Sequence, residues 1–270
     1  ELLVGIEKNF ITCNGGLMVN NLILRGGILN NTLSTKNSNI KCNNNHIKIS
    51  DSNWNYGYWS LFTSFEVLLN KINENHISSF STIKIKDFDH KPLFLKFNLP
   101  ISIANRRLTL GELKATFNLE SFPLRALNPI VNASLAGNLN TIGYFQGPIS
   151  SLSSRIDLAI DNPQVNGIRL REKWKGKFTR FPSKNEWGSL NMSSEGPSDI
   201  GDLKLSFNKE GILNDLILNR LGGQIILNSK VNYFEWKADR FKLDRVEVAF
   251  PPERSFKRIF GAISGEGKFS

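Results

Sequence analysis

The chain has 270 residues, 40% of them hydrophobic and 21% charged, which is enough to bury a sizeable core as one or two domains and too apolar for a disordered polyampholyte. The balance of 34 Lys and Arg against 24 Asp and Glu gives a net charge of +10, which suits nucleic acid, an anionic membrane surface or an acidic protein as partner. No run of 18 apolar residues is present, so no segment here reads as a transmembrane helix. The chain opens on Glu1 with no signal-peptide pattern and closes on Lys268, Phe269 and Ser270 in strand-like sequence, and is read as a segment of something longer.

Cys13 and Cys42 form no Cys-x-x-Cys motif; they are either bridged, in an oxidising compartment, or two partly buried thiols. From there the chain reads as strand after strand. Ile47 and Ile49 flank Lys48; Trp54, Tyr56 and Tyr58 share a face; Ile83 and Ile85 alternate with Lys84 and Lys86. The segment from Leu61 to Ile72 fits a helical face or a strand, with strand preferred. Between Leu93 and Ile103 every odd position is apolar, including Leu95, Phe97, Leu99 and Ile101. Pro100 has no N–H for a ladder, so this run is expected to be two strands or an edge. Further on, Leu113 to Leu119, then Ile156, Leu158 and Ile160, then Leu203, Leu205 and Phe207 repeat the period of two. Phe241 and Leu243 are odd while Val246, Val248 and Phe250 are even, a switch that predicts a bulge or bend.

Helix is scarce. Pro123 to Leu127 predicts a short helical turn. Pro251 to Phe260 predicts a short helix, with Pro252 in its first turn, Phe256, Ile259 and Phe260 on one face and Gly261 ending it. Asn20 to Gly27 echoes Asn214 to Gly223, either as a structural repeat or as two ordinary hairpins.

The most specific local pattern is basic. Arg169, Arg171, Lys173, Lys175 and Lys177 alternate with Ile168, Leu170, Glu172, Trp174, Gly176 and Phe178. As one strand, that puts five cations on one face over roughly 26 Å. It is either a contact for anionic head groups or an acidic partner, or a solvated face that discourages edge pairing. Nucleic acid is disfavoured, because single-strand binders interleave cations and aromatics on the same surface, and here Trp174 and Phe178 fall opposite the cations.

Reactive motifs are missing from the sequence. It holds no GxSxG, HExxH, phosphate loop or dinucleotide fingerprint. His46, His76 and His90 are scattered in polar settings; Asp87 and Asp89 flank Phe88 in what reads as a solvated turn. No catalytic residue, metal or cofactor is expected.

The segments Phe122 to Pro129, Leu135 to Leu139, Gly147 to Ser150, Ile156 to Ile160 and Trp174 to Phe178 resemble the TamB family of translocation and assembly module subunits. Leu216 to Gly223, Trp236 to Ala238, Phe241 to Asp244 and Phe260 to Gly267 are similar to its cyanobacterial and chloroplast-envelope branch. The likeness covers most of the chain, more clearly after Leu110. It implies an all-β, elongated antiparallel or mixed β half-pipe (β-taco) with an apolar groove and one or two short helices. Residues 1–270 would be a segment of a repetitive groove domain, divisible into 1–110 and 111–270. The family's role implies phospholipid transport between inner and outer membranes in the periplasm, on a protein anchored to the inner membrane through sequence outside this segment. The implied partners are phospholipid acyl chains and inner- and outer-membrane proteins, including an outer-membrane assembly barrel of the TamA/BamA type. Leu93, Leu95, Phe97, Ile156, Leu158, Ile160, Leu203, Leu205 and Phe207 would line the groove. A closed β-sandwich binding module and an assembly or tethering factor are the competing readings; an outer-membrane barrel is disfavoured because strands such as Leu203 to Phe207 look short for a tilted span.

Overall fold

A computed structural model describes the chain except residues 1, 8–9, 27–28, 44–45, 73, 87, 89, 105–106, 129–132, 182–185, 196–200 and 250–255. Asp87 and Asp89, and the start of the helix expected at Pro251, therefore lie outside the described residues. The side chains of His76, Ile101 and Ile103 do too. The fold is all-β, and every described strand pairing is antiparallel. It divides into two compact units, residues 1–120 with 143–152 and residues 121–142 with 153–270.

In the first unit β1 (Leu2–Glu7), β2 (Phe10–Gly26), β3 (Leu29–Asn43), β4 (His46–Tyr56), β5 (Trp59–Ile72), β6 (Glu74–Ile85) and β7 (Leu93–Ala104) form a meander in which each strand pairs with the next. β5 covers the segment whose pattern fits a helical face or a strand, with strand preferred. It is a strand because β4 and β6 occupy both its edges and satisfy its backbone groups.

β7 is one continuous strand, not two. Its first half pairs with β9 (Leu113–Pro123) and its second half with β8 (Arg107–Leu110). Pro100 stands where the partner changes, and its carbonyl accepts the Gly111 N–H at 2.7 Å. The missing donor thus falls at a break between ladders, where it costs least. At the β6–β7 connection His90 is buried. Its Nε2 accepts the Ile85 N–H at 3.1 Å and its Nδ1 lies 2.6 Å from the Lys91 carbonyl, so Nδ1 carries the proton.

Cys13 and Cys42 form a disulfide between β2 and β3, with Cα atoms 5.8 Å apart. The bridge, not a pair of free thiols, is thus the outcome, and both cysteines are buried.

In the second unit β11 (Ser153–Val165), β13 (Lys173–Arg180), β14 (Gly188–Glu195), β15 (Gly201–Phe207), β16 (Leu213–Arg220), β17 (Gly223–Ser229), β18 (Phe234–Lys242) and β21 (Ala262–Phe269) pair in that order. A smaller ladder runs from the far end of β11 through β12 (Ile168–Leu170) and β19 (Val246–Ala249) to β20 (Phe256–Ile259). The residues before β11 include β10 (Leu135–Gly147), which is shared between the two units. The parity switch between Leu243 and Val246 is the turn at 244–245 that separates β18 from β19; a bulge between Ala238 and Phe241 lies just before it.

The helix expected over Pro251–Phe260 is corrected. Its second half is the strand β20, because β19 offers an open edge whose backbone groups are satisfied by a strand and not by an isolated helical turn. The turn expected at Pro123–Leu127 is present as a 3₁₀ turn over Leu124–Leu127, and a second spans Ile149–Ser151.

The bridge closes a span of 29 residues, so Cys13→Ser with Cys42→Ser is expected to lower the stability of the first unit by about 3 kcal/mol. A lower urea midpoint for that unit is the readout; an unchanged midpoint would mean that the ladder alone holds β2 to β3.

Candidate functional site

In strands one face of the sheet is fixed by every second residue, so cross-strand register decides whether apolar side chains align. In the second unit they do. Ile156, Phe178, Leu190, Leu205, Leu216, Leu227 and Trp236 stand opposite one another from β11 to β18, a row across seven strands. At strand spacing that is about 29 Å of continuous hydrocarbon running across the strands. Beside it runs a second row of Leu158, Gly176, Met192, Leu203, Leu218, Ile225 and Ala238. Four expected lining residues, Ile156, Leu158, Leu203 and Leu205, lie in these two rows. Phe207 closes one side, where its ring meets Phe178 and Trp187 at centroid distances of 6.3 and 6.2 Å.

The rows are not sealed. Every residue of the first is half-buried, whereas a sheet face packed under a second layer buries its apolar side chains fully. The opposite face is mostly polar: one of its rows runs through Asp157, Lys177, Asn191 and Lys204, then Ile217 and Ile226, to Lys237.

The first unit repeats the arrangement with different residues. Leu17, Ile40, Ile49, Phe65, Ser81, Leu95 and Phe117 align across β2, β3, β4, β5, β6, β7 and β9. Leu95 lies in this row and Phe97 in the next, opposite Ser79 and Ala115; Leu93 stands one row away opposite Ile83. Ser79 and Ser81 are buried on β6, flanked by Phe65 and Phe97, whose ring centroids are 6.4 Å apart. Small residues are needed there because the two rings converge over them. Sequence reading passed over these serines, since polar residues on an apolar parity carry no periodic signal.

Ile160 leads to the least expected feature. Its row continues to Trp174 and Ser194, whose hydroxyl accepts the Gly201 N–H at 2.8 Å, and Gly201 stands opposite Arg220. Arg220 is 1% exposed and Glu172 2%. The Arg220 guanidinium binds the Glu172 carboxylate at 2.6 Å, donates to the Lys242 carbonyl at 2.8 Å and also reaches the Asp244 carbonyl. One side chain at the end of β16 thus ties the β12–β13 connection to the β18–β19 corner. Gly223 follows in the hairpin because its neighbour strand comes too close for a side chain: a Cβ would lie 2.1 Å from the Arg240 carbonyl. The one sequence signal of this anchor was parity, since Glu172 falls on the apolar side of its segment.

The basic stripe is corrected. β12 ends at Leu170 and β13 begins at Lys173, so the five cations do not share one strand. The chain breaks there because Glu172 turns inward to Arg220. Each cation also has a carboxylate. Arg169 and Arg171 share Glu247 at 3.4 and 3.3 Å, Lys173 meets Asp161 at 3.1 Å, Lys177 meets Asp157 at 3.8 Å, and Lys175 meets Glu195. Arg169 also lies 3.7 Å over the Phe256 ring. The stripe is a set of cross-strand ion pairs on a wet face.

Among the described residues no group of three or more His, Cys, Asp or Glu is arranged to hold a metal, and no helix is long and apolar enough to cross a membrane. At the outer strand pair of the second unit, the Lys268 ammonium holds the Glu235 carboxyl below its ordinary range, and the same contact raises Lys268. Comparison with known proteins brings no match, whether to a protein family, a curated protein or a solved structure.

Removing one partner of a buried ion pair strands the other charge, so Arg220→Ala is expected to cost about 3–5 kcal/mol in chemical denaturation. Arg220→Met with Glu172→Leu should recover most of that loss; a double variant as unstable as the single one would show that the carbonyl contacts, not the charge pair, carry the anchor. The Glu235–Lys268 contact should follow pH with both signs. Its contribution is complete between the ordinary carboxylate and ammonium ranges, fades in acid as Glu235 protonates through its lowered value, and fades in alkali as Lys268 deprotonates through its raised one. Amide exchange of β21 at several pH values checks this, and Glu235→Gln should flatten the acid limb.

Proposed function

We propose that this chain is a segment of a TamB-like, non-enzymatic envelope protein whose apolar rows carry phospholipid acyl chains between membranes. The observation that carries the reading is the half-buried row from Ile156 to Trp236, seven apolar residues in register with a mostly polar face behind them. Exposing a bare acyl chain to water costs about 0.8 kcal/mol per CH₂, roughly 13 kcal/mol for a chain of about 16 carbons. A continuous hydrocarbon row replaces that water along the whole path, while the head group stays in solvent.

Each lining residue supplies only a few CH₂ contacts, so no side chain is catalytic in this mechanism and neighbouring positions are interchangeable. The disulfide supports the reading, because such bridges persist in oxidising compartments such as the periplasm. Envelope partners, including an assembly barrel in the outer membrane, belong to the same proposal.

The test is capture of lipid on one face only. Mass spectrometry of the purified chain should find co-purifying phospholipid, and photo-crosslinkers at Leu205 and Leu216 should label it while those at Lys204 and Asn191 do not. Leu205→Asp should lower the bound lipid through the desolvation of a buried charge, and Lys204→Asp should leave it unchanged. Equal labelling from both faces, or from neither, would sink the groove.

A further inference from the structure

We propose a second, separate site on the opposite, polar face of the first unit: a docking surface for anionic phospholipid head groups, centred on Lys96 and Lys114 and flanked by Phe80 and Phe94. It is independent of the apolar rows, since it lies on the other side of the sheet.

Lys96 on β7 stands directly opposite Phe80 on β6 and Thr116 on β9, and Lys114 stands opposite Asn98. The two lysines are thus diagonal neighbours on one face, close enough to repel. Among the described residues neither has a carboxylate within ion-pair distance, in contrast to Lys173, Lys175 and Lys177 in the second unit. They border an open depression of about 600 Å³ whose wall also includes Ser78, Asn98, Thr116 and Tyr144. The comparable depression of the second unit mixes its cations with Asp157 and Asp202, while this one contains no acid. An uncompensated pair of ammonium groups at the rim of a hollow whose floor is largely apolar is complementary to a phosphate with hydrocarbon beside it.

Beside the lysines the same face carries apolar rings. Phe80 is 47% exposed and Phe94 41%, and their centroids lie 6.1 Å apart. Phe80 sits in the row of Lys96, Phe94 in the next, and Lys84, also without an acidic partner among the described residues, one row further. Cations beside exposed aromatic side chains are the composition of surfaces that rest on a membrane interface, with rings entering the acyl boundary and ammonium groups meeting phosphates. A single-stranded nucleic acid calls for cations and aromatics too, but it needs ring faces open for stacking. Here the two rings pack on each other, and the disulfide speaks for a compartment outside the cytoplasm.

The experiment is sedimentation of the whole chain with phosphatidylcholine vesicles, with and without phosphatidylglycerol. Binding is expected only with the anionic lipid. Lys96→Gln with Lys114→Gln should weaken it roughly thirtyfold, and Phe80→Ser with Phe94→Ser should weaken it at unchanged net charge. Lys204→Gln with Lys237→Gln removes the same charge from the second unit and should leave binding close to that of the parent chain. The site is overturned if that control pair weakens binding as much, if neutral vesicles bind equally, or if a single-stranded oligonucleotide or inorganic phosphate binds in a Lys96- and Lys114-dependent way while vesicles do not. Retention of the parent thermal transition in each variant keeps a folding defect apart from a binding defect. Because the crosslinkers at Leu205 and Leu216 read the apolar rows of the second unit, either result can fail without the other.

Discussion

Antiparallel backbone pairing is the constraint on which everything else in this chain rests. Each strand spends its N–H and C=O groups on its two neighbours, which leaves side chains only two directions to point. A sheet built this way commits a whole face at once. If register holds, apolar residues line up across strands without any further instruction, as they do from Ile156 to Trp236 and from Leu17 to Phe117. If register slipped by one residue, Leu205 would trade places with Lys204 and the row would be cut. Stability and the candidate function therefore depend on the same hydrogen-bond ladders, and the register is what a mutation must not disturb.

Two devices hold the ladders where the sheet itself cannot. The Cys13–Cys42 bridge fixes β2 to β3. Arg220 does the equivalent work in the second unit without a covalent bond, reaching Glu172 and the carbonyls of Lys242 and Asp244. A buried guanidinium is costly to desolvate, and it is kept only where several acceptors converge on it. Those acceptors come from the β12–β13 connection and the β18–β19 corner, so the side chain defines where one ladder ends and the smaller one begins.

The two polar faces show how little charge alone says about binding. The eye is drawn to Arg169 through Lys177, yet those cations are consumed by Glu247, Asp161, Glu195 and Asp157. Lys96 and Lys114 are ordinary in sequence, separated by a strand connection, and they matter because β7 and β9 are neighbours. Excess positive charge acts where acids are missing in space, and only the pairing of strands decides that.

Much of the fold was legible in the residues. The period of two in segments such as Leu203–Phe207 determined strands, because nothing but an extended chain gives every second side chain one face, and the same period fixed which residues of a strand share a face. Its change of parity between Leu243 and Val246 also marked the turn at 244–245. What the tertiary structure decided was every relation between strands: that β7 runs unbroken through Pro100 by changing partners, that Phe256–Ile259 joins an open edge instead of coiling, that Glu172 turns inward and splits the basic stripe, and that two cysteines 29 positions apart meet. Periodicity is a local property and can be read along a chain. Partner choice depends on which backbone edges are left unsatisfied elsewhere, and no single segment contains that information.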